Sequence, residues 1–170
     1  SATGTAYAVA AGRLSYALGM HGPCAAVDSA CSAALVAAHC ARSGLLRAEC
    51  SAAITSAVTL MLAPGVPVSF AIAGMTSAHG QCKTWDSRAD GYLRGEGCAA
   101  LLARAAAPAS AAQASMLATA VRSDGRSASL TAPSGTAQQL LMRASIGEAG
   151  RVAGVIGRQE AHGTGTALGD

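Results

Sequence analysis

The sequence predicts a layered α/β fold, and three observations support that class. The chain has 170 residues, of which 51% are hydrophobic, so it has the composition to bury a sizeable core. Alanine and glycine dominate, and their small side chains let helices and strands pack closely. Segments rich in helix formers alternate with short apolar runs typical of buried strands, as expected where helices cross over a sheet.

The first half of the chain alternates helical and strand-like segments. The turn residues Gly22 and Pro23 separate the first helical segment from the first apolar run, and Ser43-Gly44 interrupts the second helical segment. In chain order we predict a helix over 5–20, a short buried strand over 24–27, a helix over 31–49, a buried strand over 50–62 and a long loop with two prolines over 63–82.

The second half continues the alternation. Ser134 is a typical N-cap residue and Gly150 a typical C-terminal stop, which together bound a helix. In chain order we predict a strand over 97–104, a linker or crossover over 105–115, a strand over 115–125, a helix over 134–150 and a strand running into a glycine-rich turn over 152–165.

The charge pattern argues against several classes of protein. The net charge is +3, and the twelve basic residues, eleven of them Arg, form no basic run, so nucleic acid is not an expected partner. No apolar stretch reaches the roughly 18 residues of a membrane span, so none is expected. The N-terminus lacks the features of a signal peptide, which predicts a cytoplasmic protein. It also lacks an initial Met, so we expect a segment of a longer chain.

The cysteine pattern predicts free thiols and no metal. An even number of cysteines is compatible with disulfides, but a large apolar chain without a secretory signal favours reduced thiols. No CxxC or HxxxH spacing occurs, so no metal site is predicted. The six cysteines are Cys24, Cys31, Cys40, Cys50, Cys82 and Cys98.

The stretch VDSACSAAL (27–35) places Cys31 between a predicted strand and a predicted helix. The unpaired N–H groups at a helix N-terminus favour a thiolate, which is the reactive form of cysteine. One interpretation is a nucleophile held at a turn, with small neighbours that leave room for a substrate. The other is an inert thiol packed in an apolar helix. The packed-thiol interpretation is also the expectation for Cys24, Cys40, Cys50 and Cys98.

The stretch EAHGTGTALGD (160–170) places His162 at the end of a predicted strand, before a glycine-rich turn. An imidazole there can donate a hydrogen bond to a developing oxyanion or act as an acid–base group. The glycines let a substrate arm pass closely, and the hydroxyls of Thr164 and Thr166 can bond an amide or a carbonyl. The alternative role for His162 is a purely structural hydrogen bond.

The stretch CKTWDSRADGYLRGEG (82–97) is dense in acidic, basic and glycine residues. Calcium binding is one interpretation, but the spacing of the carboxylates does not follow an EF-hand loop. The stretch therefore favours a structural loop that braces a site. Its carboxylates Asp86, Asp90 and Glu96 are candidates for buried pairing with Arg88, Arg94 or groups outside the chain.

Taken together, four ordered stretches resemble the β-ketoacyl synthase family, the condensing domains of polyketide and fatty-acid synthases. The third and fourth look closest to modular, type I polyketide synthases. Ser29 departs mildly, since the family usually has Thr there. The stretches are GRLSYALGMHGPCAAVDSACSAALVAAH (12–39), CKTWDSRADGYLRGEG (82–97), DGRSASLTAPSGTAQQ (124–139) and EAHGTGTALGD (160–170).

The resemblance implies a role for five residues. Cys31 matches the cysteine that accepts the acyl group, and His162 matches the first of the family's two catalytic histidines. Thr164 and Thr166 match threonines that line the channel for the carrier's phosphopantetheine arm. Glu96 matches a buried glutamate that braces the site. The resemblance implies no metal and no other directly bound cofactor.

The resemblance also implies a thiolase-like fold of α-β-α-β-α layers, which is incomplete in this chain. Residues 1–105 would form part of the N-terminal half, and residues 106–170 would begin the C-terminal half. The family's second histidine, its lysine and its glycine-rich Phe loop follow these stretches. We therefore expect the chain to be a fragment that is inactive by itself.

The implied reaction is polyketide chain elongation by decarboxylative Claisen condensation of an acyl thioester with a malonyl-type extender. The implied partners are an acyl carrier protein, other synthase domains and a second copy in a homodimer. Three alternatives stay open: a fatty-acid-type β-ketoacyl synthase, a non-catalytic condensing-like domain that only binds or gates acyl carriers, and a cysteine hydrolase. The presence of Cys31 argues against the second, and the ordered motifs argue against the third.

Overall fold

The computed structural model describes residues 2–105, 111–166 and 169. Three helices precede the first strand in the first of these ranges, and a fourth helix separates the two strands. The helices are α1 (Ala2–Thr5), α2 (Tyr7–Leu18), α3 (Ala33–Leu46), α4 (Gly65–Ile72) and α5 (Gly135–Glu148), and the strands are β1 (Ala52–Thr59) and β2 (Gly97–Arg104). Short 3₁₀ turns cover Ala30–Ser32 and Ala153–Val155.

The chain divides into two compact units, each built from two separate stretches. The first unit comprises Ser1–Ala57 and Cys98–Val121, and the second comprises Val58–Gly97 and Arg122–Asp170. The first unit therefore contains α2, α3 and most of the sheet. The second contains α4, α5 and the loops that carry the later motifs.

Strands β1 and β2 pair to form a two-stranded sheet. The bounds of β2 are those that the sequence predicts, and β1 lies inside the predicted range 50–62. The prediction that β1 is buried is wrong, since Ile54 is 41% exposed and Val58 is 65% exposed. β-Branched residues explain why the segment is extended, but only a second packed layer would bury it.

Helix α3 runs without a break through Ser43-Gly44, so the predicted interruption is wrong. Gly44 is buried, and a Cβ atom at this position would lie 3.6 Å from the Glu49 carboxylate and 3.8 Å from the Cys50 thiol. Glycine at this position therefore allows close packing and does not mark the end of the helix. Glycine weakens the helix by roughly 1 kcal/mol relative to alanine. The helix nevertheless continues through this position for its full 14 residues.

The segment predicted as a strand over 115–125 forms no helix and pairs with no described strand. Side chains of α3 hold it instead. His39 Nδ1 lies 2.8 Å from Thr119 Oγ1, and Arg42 donates to the Leu117 carbonyl at 2.8 Å. The strand prediction is wrong because side-chain hydrogen bonds replace the backbone ladder here.

Helix α4 lies within the segment predicted as a loop over 63–82, so that prediction is wrong for residues 65–72. Pro64 directly precedes the helix, and Pro67 lies in its first turn. Proline is tolerated at both places because the first N–H groups of a helix have no partner inside the helix. The prolines mark a helix start here rather than a loop.

Helix α5 confirms the predicted helix over 134–150. Ser134 accepts a hydrogen bond from the backbone N–H of Ala137 at 3.3 Å, as an N-cap residue does. Gly150 follows the helix with a φ of +61°, the left-handed conformation that ends many helices.

Two further strand predictions, over 24–27 and over 152–165, are wrong for the described residues. Both segments lack strand pairing, and Ala153–Val155 forms a 3₁₀ turn. A hydrophobic pattern can predict an extended backbone, but it does not show which other segment would pair with it. A strand needs such a neighbour for its backbone hydrogen bonds. Most of the predicted linker over 105–115 lies outside the described residues, at 106–110.

Apolar surface is largely uncovered, which corrects the expectation of a sizeable core. The chain exposes 12766 Å², whereas a compact monomer of its mass exposes about 7,600 Å² by the usual scaling. Among the described residues, Leu45 is the one buried large hydrophobic residue, at 7% exposed.

Candidate active site

Cys31 lies in the 3₁₀ turn Ala30–Ser32 that leads directly into α3. The preceding residue, Ala30, has a φ of +53°, a left-handed conformation that costs a non-glycine residue about 1 kcal/mol or more. The Asp28 carboxylate accepts a hydrogen bond from the Ala30 N–H at 3.1 Å and stabilises that conformation. The result is a sharp, strained turn that presents the thiol at the start of a 14-residue helix.

Two serines flank the Cys31 thiol and close the turn around it. Ser29 Oγ and Ser32 Oγ lie 2.8 Å apart, and Ser32 Oγ also lies 2.9 Å from the Ser29 carbonyl oxygen. These side chains bond to each other and to the backbone rather than covering the sulfur. Cys31, between these two serines in the chain, is exposed.

All six cysteines are free thiols. Cys31 is exposed, but so are four others, and Cys50 is half-buried. Packed thiols at Cys24, Cys40 and Cys98 are therefore a wrong prediction. Exposure does not single out Cys31, whereas its place at a strained turn before a helix does.

The His162 turn, which we define as residues 162–166, is a left-handed glycine turn. Gly163 has a φ of +53° and Gly165 a φ of +73°. Within the turn Thr164 Oγ1 and Thr166 Oγ1 lie 3.0 Å apart, and both threonines are half-buried. His162 itself is exposed at the start of the turn.

The 82–97 loop holds the His162 turn through the backbone. Thr84 Oγ1 donates to the Gly163 carbonyl at 2.7 Å, and the Gly91 N–H donates to the Gly165 carbonyl at 3.0 Å. A Cβ atom at Gly163 would lie 2.8 Å from the Thr84 methyl carbon, and one at Gly165 would lie 2.9 Å from the Lys83 backbone nitrogen. Only glycine fits at both positions, so the 82–97 loop packs closely against this turn. That the loop braces an active site stays a prediction.

Thr84 is a residue that the sequence reasoning missed. Its hydroxyl is partly buried and has a specific backbone acceptor 79 residues later in the chain. A threonine between Lys83 and Trp85 carries no pattern that distinguishes it from any other loop threonine. Its contact with Gly163 exists because the fold brings together two residues that are 79 positions apart in the chain.

The predicted carboxylate–arginine pairing is confirmed for Asp86. Arg88 Nη2 lies 2.7 Å from Asp86 Oδ2, and Arg88 Nε and N both donate to Asp86 Oδ1. These hydrogen bonds from Arg88 hold the pKa of the Asp86 carboxyl well below its usual range. The expected burial is wrong, since the Arg88 side chain is 80% exposed.

Asp90 pairs with residues other than arginine, which corrects the prediction. Its carboxylate accepts from Lys83 Nζ, contacts His79 Nδ1 and accepts from Ser77 Oγ, each at 2.8 Å. The hydrogen bonds from Lys83, then His79 and Ser77, hold the pKa of Asp90 well below its usual range. Asp90 therefore ties both ends of the 77–90 segment together.

Glu96 is exposed, and its carboxylate accepts a hydrogen bond from the Met61 backbone N–H at 2.5 Å. The expectation of a buried pairing with Arg94 is wrong. The Arg94 guanidinium instead lies over the Phe70 ring, 4.8 Å from its centroid. Glu96 thus braces the backbone that follows β1.

The two expected catalytic residues lie in different units. Cys31 belongs to the first unit, and His162, Thr164, Thr166 and Glu96 belong to the second.

Neither a metal cluster nor a spanning helix is found in the described part of the chain. Within residues 2–105, 111–166 and 169, no three His, Cys, Asp or Glu side chains group in a way that could hold a metal ion. The same residues include no helix with the length and apolar character to cross a membrane.

Two family models together match nearly the whole chain. The model described as β-ketoacyl synthase, N-terminal domain, matches residues 1–109, and the one described as β-ketoacyl synthase, C-terminal domain, matches residues 113–170. Among curated relatives, the chain is 44% identical to an erythronolide synthase of Saccharopolyspora erythraea over 99% of its own length. It is 43% identical to a polyketide synthase of Streptomyces halstedii, again over 99% of its length.

Solved structures show the same relationship. The oxazolomycin ketosynthase domain of Streptomyces albus superposes with a TM-score of 0.89 at 33% identity, covering 97% of this chain and 30% of that one. The module 6 ketosynthase of the Bacillus subtilis bacillaene synthase gives a TM-score of 0.87 at 37% identity, covering 99% and 31%. This chain spans 5% of the erythronolide synthase and 3% of the Streptomyces halstedii synthase. The chain belongs to the β-ketoacyl synthase family and has the thiolase-like α/β fold of ketosynthase domains.

Proposed function

We propose that the chain is part of a ketosynthase that elongates polyketide chains by decarboxylative Claisen condensation. The observation that carries the proposal is Cys31 on a strained turn at the start of a helix, in a chain that both ketoacyl synthase models match in order. The named relatives are polyketide synthases, which favours polyketide over fatty-acid elongation.

The first half-reaction loads Cys31. The Cys31 thiolate attacks the carbonyl carbon of an acyl thioester on a carrier protein. A new carbon–sulfur bond forms, the bond to the carrier's sulfur breaks, and that sulfur leaves as a thiolate, which takes a proton from water. Cys31 lies directly before α3, in the turn that leads into the helix.

The second half-reaction forms the carbon–carbon bond. A malonyl-type extender on a carrier loses CO₂, and the electron pair of the broken bond gives an enolate. Its carbon attacks the Cys31 thioester, and the thiolate of Cys31 leaves. His162 donates a hydrogen bond to the extender's thioester oxygen, where negative charge develops.

The carrier's phosphopantetheine arm would reach the site along the His162 turn. Thr164 and Thr166 supply half-buried hydroxyls 3.0 Å apart, and hydroxyls can both donate to and accept from the amides of such an arm. Glu96 supports the site indirectly through the Met61 backbone. The arm is covalently part of the carrier, so this chain needs no directly bound cofactor for the role.

The acyl carrier protein is the proposed partner during both half-reactions, and other synthase domains and a second copy in a homodimer complete the proposed assembly.

A condensation assay with matched cysteine variants tests the proposal. The full-length polypeptide that carries this chain is supplied with an acyl carrier and a malonyl carrier, and β-ketoacyl product and CO₂ are measured. Cys31→Ala should abolish the product because no thioester can form. Cys40→Ala, which changes another exposed cysteine on α3, should leave product formation within about twofold of wild type. Normal product formation by Cys31→Ala would overturn the assignment.

A further inference from the structure

We propose that Thr84 is a positioning residue for His162, acting through the Gly163 carbonyl. The inference rests on the proposed function of His162 as the donor to the extender. It adds Thr84, whose hydroxyl determines how accurately the His162 imidazole points at the thioester oxygen of the extender.

The need for an anchor follows from the chain itself. Gly163 and Gly165 both adopt left-handed φ angles, and glycine populates many other conformations with similar ease. A turn made of such residues does not hold one geometry without external contacts. His162 is the first residue of this turn, so the direction of its side chain depends on what fixes Gly163.

Thr84 supplies that contact with both parts of its side chain. The hydroxyl donates to the Gly163 carbonyl at 2.7 Å, which fixes the peptide that follows Gly163. The methyl carbon lies where a Cβ atom on Gly163 would be 2.8 Å away, so it packs against the glycine itself. The second anchor, from the Gly91 N–H to the Gly165 carbonyl at 3.0 Å, is a backbone bond that side-chain substitution leaves in place.

The loop that carries Thr84 is itself tied down. Lys83, the neighbour of Thr84, contacts the Asp90 carboxylate at 2.8 Å through Nζ, and its backbone nitrogen lies beside Gly165. The backbone beside Thr84 is therefore held by contacts that do not involve the Thr84 side chain. Loss of the Thr84 hydroxyl should make the His162 turn more mobile and leave the 82–97 loop in place.

The expected effect is selective for one half-reaction. A misaimed donor lowers the stabilisation of the developing charge on the extender, and a displacement of about 1 Å can cost up to a hundredfold in rate. Loading of Cys31 does not use His162 in the proposed mechanism. Loss of the Thr84 hydroxyl should therefore lower kcat for decarboxylation and leave both KM and loading largely unchanged.

The test compares Thr84→Val, which keeps the shape but removes the hydroxyl, with Thr84→Ser, which keeps the hydroxyl, in the full-length polypeptide. We expect Thr84→Val to lower kcat for malonyl-carrier decarboxylation about tenfold with KM within about twofold, and Thr84→Ser to stay within about threefold of wild type. We also expect faster amide hydrogen exchange at residues 163–166 in Thr84→Val. Equal losses in both variants, or a wild-type kcat in Thr84→Val, would overturn the proposal.

Hydrogen exchange separates this inference from the proposed function. If the wild-type polypeptide decarboxylates nothing, the proposed function fails, yet exchange at 163–166 still reports the Thr84 contact. Unchanged exchange in Thr84→Val would then overturn the positioning role by itself. If the valine variant does not fold, Thr84→Ala removes the same hydroxyl without a branched side chain and is measured in its place.

Discussion

At the residue scale, Cys31 and His162 are placed by different kinds of neighbour. The Asp28 carboxylate stabilises a left-handed Ala30 directly before Cys31, whereas a threonine hydroxyl from a distant loop fixes the turn after His162. Sequence reasoning found both candidates because short motifs surround them. It did not find the strain at Ala30, since alanine is not a residue type that marks a left-handed turn.

Substitution of His162 should separate the two half-reactions. Loss of one hydrogen-bond donor to a developing oxyanion costs on the order of 3 kcal/mol, so His162→Ala should slow malonyl-carrier decarboxylation roughly a hundredfold or more. Acylation of Cys31 should fall less, because that step does not depend on the imidazole. The measurement is the rate of CO₂ release and, separately, the rate of acyl loading in the full-length polypeptide.

His21→Ala is the matched control, because His21 is exposed and lies outside the His162 turn. It should leave both rates close to those of the wild type. Equal loss of decarboxylation and loading in His162→Ala would contradict the proposed division of roles.

At the element scale, local signals predicted helices better than strands. Ser134 and Gly150 bounded α5 because capping is a local interaction between residues close in sequence. Strand predictions over 24–27, 115–125 and 152–165 failed for the described residues because a strand depends on a partner that the pattern does not specify. Helix α4 was missed because prolines suit both a loop and a helix start.

Acid should weaken the 77–90 segment through Asp90. The pKa of Asp90 is lower in the folded protein than in the unfolded chain, so its contribution to stability is fully present above the unfolded value of about 3.9. That contribution is lost as the pH falls through the lower, folded pKa. Asp90→Asn should therefore lower Tm at neutral pH, and the difference should shrink below about pH 4.

Thermal unfolding of the full-length wild type and Asp90→Asn across this pH range measures the effect. Glu160→Gln is a suitable comparison, since Glu160 is also exposed and lies outside the 77–90 segment. A Tm difference that grows on acidification, or none at pH 7, would show that the Lys83, His79 and Ser77 contacts do not stabilise the charged form.

At the scale of the whole molecule, composition predicted the fold class but not how little of this chain would be buried. A content of 51% hydrophobic residues indicated a core, yet Leu45 is the one large hydrophobic residue buried among those described. The residues of a layered fold are apolar wherever a neighbouring layer will cover them, and composition does not say which segment supplies that layer. The division at residues 105/106 and the roles of Cys31, His162, Thr164, Thr166 and Glu96 stay predictions.

The central claim is that Cys31 carries the growing acyl chain in a condensing enzyme. The most direct test loads the full-length polypeptide from an isotope-labelled acyl carrier and locates the label by peptide mass spectrometry. We expect a thioester-linked label on the peptide that contains Cys31, and we expect the label to disappear when malonyl carrier is added. Label on Cys24 or Cys40 with Cys31 unmodified, or label that malonyl carrier does not discharge, would contradict the claim.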